Sequence, residues 1–140
     1  MLKGIPSILP PELLKILMEM GHGDEIVIAD GNFPGASLAQ RLVRCDGHGV
    51  PAVLDAVLML MPLDFIVPEP VVLMSSSIGS PEPPVWEEYR RILQAREPEH
   101  SGIGFMERYA FYERASKAYA VVATGETAMR GNIILKKGVC

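Results

Sequence analysis

The sequence predicts an α/β fold, a three-layer sandwich around a mostly parallel, mixed central sheet. Segments of helical period alternate with short apolar runs through most of the 140 residues, which selects this class over a helix bundle or a β sandwich. The run Ile26–Ala29 is continuously apolar, as a strand covered on both faces should be, and Ala118–Thr124 also reads as a buried strand. Gly, Pro and Asp-Gly clusters separate the segments at loop spacing. No internal repeat or linker interrupts them, so residues 1–140 read as a single domain.

Leu13, Leu14, Leu17, Met18 and Met20 recur at helical spacing behind Pro10 and Pro11, and Gly21 stands where the residue just past a helix C-terminus belongs. His22 therefore falls at a helix exit. The strand Ile26–Ala29 then delivers Asp30 at its carboxyl end, where open α/β sheets place their ligands. Gly31–Ser37 reads as a Gly/Pro loop, and Arg41–Cys45 as a strand ending at the turn Asp46-Gly47. Pro51 suits the first turn of the next helix, whose Val53, Leu54, Val57, Leu58, Leu60 and Met61 make a wide apolar stripe closed by Pro62. Pro70–Met74 reads as a strand and Ser75–Pro84 as a polar, Pro-rich loop. The helix Val85–Arg96 carries Trp86, Tyr89, Ile92 and Leu93 on one face and is expected at the periphery. A short strand Ile103–Met106, a helix Glu107–Ala118 and the strand Ala118–Thr124 follow. Asn132–Lys136 is the last strand, behind the loop TGETAMRG.

Composition removes several classes of function. The most apolar stretch, Val50–Met61, contains Pro51 and Asp55 and falls short of the ~20 residues that a membrane helix needs. The first residues lack the charged, apolar and small-residue zones of a secretory signal, so a cytoplasmic location is expected. Cys45 and Cys140 fit no zinc spacing and read as reduced thiols. A net charge of −4 without any block of Lys or Arg argues against nucleic acid. The 49% hydrophobic content and mean hydropathy of +0.21 are high for so small a chain, which points to a homo-oligomer.

Chemically usable groups concentrate in EMGHGDEIVIADGNFP, residues 19–34. His22 has two readings. It can cap the helix by bonding the last carbonyls, stabilising by ~0.3–1 kcal/mol, or it can exchange protons near neutrality between its two flexible glycines. Asp24 and Asp30 are the candidates for orienting it. Asp24 reads more readily as a cap or surface group, whereas Asp30 emerges from an apolar strand. His22, Asp24, His48 and His100 lack the spacing that makes a metal motif specific, so no metal is expected. Neither G-x-G-x-x-G nor a Walker loop is present, and Ser75–Ser77 have no nucleophile elbow around them.

The stretches EMGHGDEIVIAD, RYAFYER and TGETAMRGNIILKKG, in this order and at these positions, resemble the ribose pyranase and L-fucose mutarotase family, more closely its fucose mutarotase branch. The resemblance extends over essentially the whole chain. It implies a ribose pyranase-like fold and an isomerase that interconverts monosaccharide anomers without cofactor or metal. It also implies ring-like homo-oligomers, commonly decamers, with sites near subunit boundaries. Carried over by position, His22 would be the proton donor, and Asp30 and Arg108 would hold sugar hydroxyls. The terminal site triplet falls on Arg130, Gly131 and Asn132, with Arg130 replacing the usual aromatic residue and removing a stacking ring. Asn32 stands where the fucose branch often has a second histidine. Because His22, Asp30 and Arg108 are all present, catalysis is expected over the two rival readings, a catalytically silent monosaccharide-binding protein and a purely structural oligomer.

Overall fold

The computed structural model describes all of residues 1–140. In chain order the elements are α1 (Pro11–Glu19), β1 (Glu25–Ala29), α2 (Gly35–Leu38), β2 (Leu42–Cys45), α3 (Val50–Leu58) and β3 (Val71–Met74). They continue with α4 (Val85–Arg96), β4 (Ile103–Met106), α5 (Arg108–Lys117), β5 (Ala120–Thr124) and β6 (Ile133–Lys136). One six-stranded sheet has the order β2-β5-β1-β6-β3-β4. β2, β5 and β1 pair in parallel, as do β3 and β4, while β6 runs antiparallel to both β1 and β3. The sheet is thus mostly parallel and mixed, as the alternation of elements predicts.

Alternate residues of β1 feed two cores. Ile26 and Ile28 join Leu13, Leu54, Trp86 and Leu93 on the face covered by α1, α3 and α4. Val27 and Ala29 meet Phe111 and Ala115 of α5 on the other face. That division makes the three layers. Burying a side chain such as Leu54 contributes roughly 1.5–3 kcal/mol, so a strand apolar on both faces is held from both sides. Glu25, at the start of β1, accepts from Arg114 of α5 at 2.9 Å and anchors that second layer. No helix is long and apolar enough to cross a membrane.

Several boundaries differ from the sequence expectation for identifiable reasons. α1 ends with Met20 as an extended cap and Gly21 just past it, as expected, while the positive φ of 86° belongs to Gly23. The expected loop Gly31–Ser37 runs into a one-turn helix, α2, too short to show a period. α3 stops at Leu58 rather than Met61, because Leu60 and Met61 both bond back to the Val57 carbonyl in a tightening turn ahead of Pro62. α4 is not peripheral. Trp86, Tyr89 and Leu93 are buried against α3 and the core. β5 begins at Ala120 and β6 at Ile133, since Ala118 serves as a helix cap and Asn132 as a side-chain acceptor before the ladders start.

Candidate active site

Every parallel strand ends on the same edge of the sheet, and β6 begins there. Asp30 follows β1, Met74 ends β3, Arg108 follows β4 and Asn132 precedes β6. Around them lies a cavity of about 260 Å³ lined by Asp30, Asn132, Arg108, Arg130, Phe33 and Tyr112, among others. This is the kind of crevice that the sheet topology favours for a small ligand.

Asp30 is buried and braced by backbone on both carboxylate oxygens. Oδ1 accepts from Asn32 N–H at 3.0 Å and Oδ2 from Gly131 N–H at 3.3 Å, while Asp30 N–H donates to Asn132 Oδ1 at 2.8 Å. Burial lifts its carboxyl above the usual aspartate range, against the opposing pull of those N–H groups. Asn132 is therefore tied to Asp30 across the β1–β6 junction.

Arg108 owes its place to the start of α5. The Glu107 side chain accepts from Tyr109 N–H and Ala110 N–H, so the helix begins at Arg108 directly above the end of β4. Arg108 Nε donates to Tyr112 Oη at 3.1 Å, one turn on. Tyr112 in turn packs edge-on against Phe33 at 5.4 Å, making an aromatic wall. Neither Arg108 nor Arg130 forms an ion pair with a carboxylate.

Arg130 has a φ of 58°, the one left-handed non-glycine residue of the chain. Two aromatic residues of α4 hold it there: Trp86 Nε1 donates to the Arg130 carbonyl at 3.2 Å and Tyr89 Oη to the Gly131 carbonyl at 2.7 Å. A Cβ on Gly131 would stand 3.2 Å from Tyr89 Oη and 3.1 Å from the Ala128 carbonyl, which explains the glycine. Strain kept in place by surrounding bonds is a mark of functional loops. The Arg130 guanidinium reaches Ser77 Oγ at 2.6 Å across the cavity rim.

Asp30, Arg108, Arg130, Gly131 and Asn132 thus come together, and His22 does not. It precedes β1 whereas Asp30 follows it, a separation of roughly 20 Å at the strand rise of ~3.3 Å per residue. Neither Asp24 nor Asp30 orients its ring. Asp24 Oδ2 accepts from Gly21 N–H at 2.7 Å, and the bond from His22 Nε2 goes to Asp64 Oδ1 at 3.0 Å, a residue with no sequence signal of its own. His48 sits in the turn after β2, and His100 lies beside Phe65. No three His, Cys, Asp or Glu side chains converge as metal ligands would. Tyr89 and Trp86 are not site candidates by sequence, since aromatic residues at helical spacing signal core before anything else, and Phe33 stands in the loop 31–37 where no pattern marks it.

A model of the RbsD / FucU transport protein family matches residues 3–140. The chain belongs to the RbsD/FucU family. Within it, the chain is 53% identical to a fucose mutarotase of Bos taurus, over 99% of this chain and 94% of the relative. Among solved structures, a fucose mutarotase of Streptococcus pneumoniae in complex with L-fucose superposes with a TM-score of 0.95 at 51% identity, covering 99% of each chain. The Bacillus subtilis RbsD complexed with D-ribose gives a TM-score of 0.76 at 26% identity, over 100% of this chain and 99% of that one.

Proposed function

We propose that this protein is an L-fucose mutarotase, an isomerase that exchanges the anomers of L-fucose or a closely related monosaccharide. The observation that carries this reading is near-full-length similarity, at 51% identity, to a fucose mutarotase with L-fucose bound, together with a polar, sugar-sized cavity at the carboxyl edge of the sheet. Asp30 and Asn132 supply acceptors and a donor for sugar hydroxyls, Arg108 supplies further donors, and Phe33 and Tyr112 supply an apolar wall. The reaction changes no oxidation state. One proton leaves the anomeric hydroxyl, another reaches the ring oxygen, and the open aldehyde rotates and recloses, so acid/base side chains suffice without a cofactor.

His22 is the proton-handling group in this reading, and its distance from Asp30 requires that the site be completed by a second copy. His22 of one subunit meets the Asp30 cavity of another. Exposed Leu2 and Met18, with the apolar hollow they share with Leu14, Leu60 and Met61 on the His22 side of the molecule, support such a contact. A ring-like homo-oligomer, a decamer by the family resemblance, satisfies this geometry. The free thiols of Cys45 and Cys140 suit the reducing cytoplasm as its location.

Saturation-transfer NMR on anomeric protons tests the activity directly: L-fucose should exchange faster with protein than in buffer, in a panel that includes ribose and galactose. No acceleration for any sugar would leave a silent monosaccharide-binding protein as the better reading. Arg130 adds a second unpaired guanidinium to the cavity and favours sugars carrying an acidic group. Arg130→Tyr should therefore improve exchange of fucose relative to an acidic sugar, and an unchanged profile across the panel would remove Arg130 from substrate selection.

A further inference from the structure

Arg130 and Gly131 stand at the end of the loop 125–131, and that loop is fastened outside the sugar cavity, at the N-terminus of α3. The cap residue of α3 is Gly49, which has no side chain to accept from the helix's first N–H groups. Glu126 does so from outside the helix. Its Oε2 accepts from Val50 N–H at 3.1 Å and its Oε1 from Ala128 N–H at 3.0 Å, so one carboxylate joins the helix end to the loop. A negative charge there suits the positive end of the helix dipole. Space is kept for it, since a Cβ on Gly49 would stand 2.9 Å from Oε2.

The same residue meets both loops that shape the cavity without lining the cavity itself. Its carbonyl accepts from Gly31 N–H at 2.9 Å, next to Asp30, and its own N–H donates to Thr124 Oγ1 at 3.1 Å. Its Cγ lies 3.1 Å from the place of a Cβ on Gly131, so it packs directly against that glycine. Gly131 N–H donates to Asp30 Oδ2 at 3.3 Å, and its carbonyl accepts from Tyr89 Oη at 2.7 Å. Burial, followed by the Glu126 and Asp30 charges, pushes the Tyr89 phenol above its ordinary range, so it keeps its proton and donates. Gly131 is therefore placed by three side chains, and only Glu126 ties it to the body of the loop.

We propose that Glu126 is a positioning residue for sugar binding: by tying the loop 125–131 to the N-terminus of α3, it sets where Gly131 and the left-handed Arg130 stand against Asp30. The inference rests on the reading of the Asp30 cavity as the sugar site. Glu126 neither touches the sugar nor moves a proton. Releasing it loosens contacts that serve the bound sugar and the transition state alike, so the loss should fall on KM and leave kcat nearly unchanged.

The test combines titration calorimetry with L-fucose, saturation-transfer kinetics and amide hydrogen exchange on the intact protein. Glu126→Gln keeps the size of the side chain, but its amide nitrogen cannot accept, so one of the two N–H partners is lost; Glu126→Ala loses both. Kd and KM should rise about threefold in Glu126→Gln and about tenfold in Glu126→Ala, with kcat within about twofold of the wild type. The amides of Val50, Ala128 and Gly131 should exchange faster in both. Adding Gly49→Ser to Glu126→Ala recaps α3 from within, so stability to urea should return while KM stays raised. Recovery of KM together with stability would assign the whole effect to the helix and overturn the proposal. Wild-type Kd and KM in a folded Glu126→Ala protein, or a fall in kcat at unchanged KM, would overturn it as well. If Glu126→Ala does not fold, wild-type Kd in Glu126→Gln decides against it. Absence of sugar exchange in the wild type would refute the mutarotase reading separately, because calorimetry reads sugar binding and amide exchange reads the loop whether or not the protein is an enzyme.

Discussion

His22→Ala is expected to slow fucose anomer exchange by about 10²- to 10⁴-fold, the usual contribution of a well-placed acid/base group. The fold should survive, because His22 stands on an exposed turn whose backbone bonds involve Gly21, Gly23 and Asp24 instead. Stability should fall by about 1–2 kcal/mol, since Asp64 loses one of its two donors. Saturation transfer and chemical denaturation read the two effects separately. A site shared between copies makes a sharper demand. His22→Ala and Asp30→Ala, each strongly impaired alone at low sugar concentration, should recover exchange when unfolded and reassembled together, with about a quarter of the boundaries pairing an intact His22 with an intact Asp30. No recovery from a properly assembled mixture would sink the two-subunit site, and near-native rates in folded His22→Ala would move the proton-handling role to another group.

Asp30→Ala should lower kcat/KM by about 10²-fold, chiefly through KM, because hydrogen bonds to a charged acceptor are worth roughly 1.5–3 kcal/mol each. It also releases Asn32 N–H and Gly131 N–H, loosening the loop that carries Arg130. The stability cost should depend on pH with a definite sign. Burial raises the Asp30 pKa, so the folded protein holds that proton more tightly than the unfolded chain. The resulting stability is complete below the ordinary aspartate range and is lost as pH rises through the raised value. Asp64 acts in the opposite sense: its lowered pKa stabilises above the ordinary range and that stability disappears as pH falls. Urea denaturation of wild type and Asp30→Ala should therefore show a larger deficit for the variant in acid than at neutral pH. A deficit independent of pH, or one that grows toward neutrality, would contradict the assigned shift.

Periodicity and punctuation were enough to read the alternation of helices and strands, because both core faces demand apolar residues at fixed spacing. The span of α4 followed directly from its amphipathic run, but its depth did not. Trp86 and Tyr89 look like any apolar stripe until the loop at Arg130 folds back onto them. Asp30 was legible as a polar residue leaving a buried strand. Asp64 was not, since 42 residues separate it from His22 and nothing in Pro62–Phe65 marks it as chemistry. The opposition of His22 and Asp30 was available all along: the strand that makes them neighbours in sequence is also the spacer that keeps them apart.

β6 has a consequence for how the molecule forms. β2, β5 and β1 make one parallel group and β3 and β4 another, and the only ladder joining the two groups runs through β6. Its register partner Ile28 lies more than a hundred residues earlier in the chain, so the join closes a very long loop and comes at a high entropic cost. Asp30 belongs to the first group and Arg108 to the second. The sugar cavity therefore needs both strand groups in place, and ligand binding reports the assembly of the whole sheet rather than of either group.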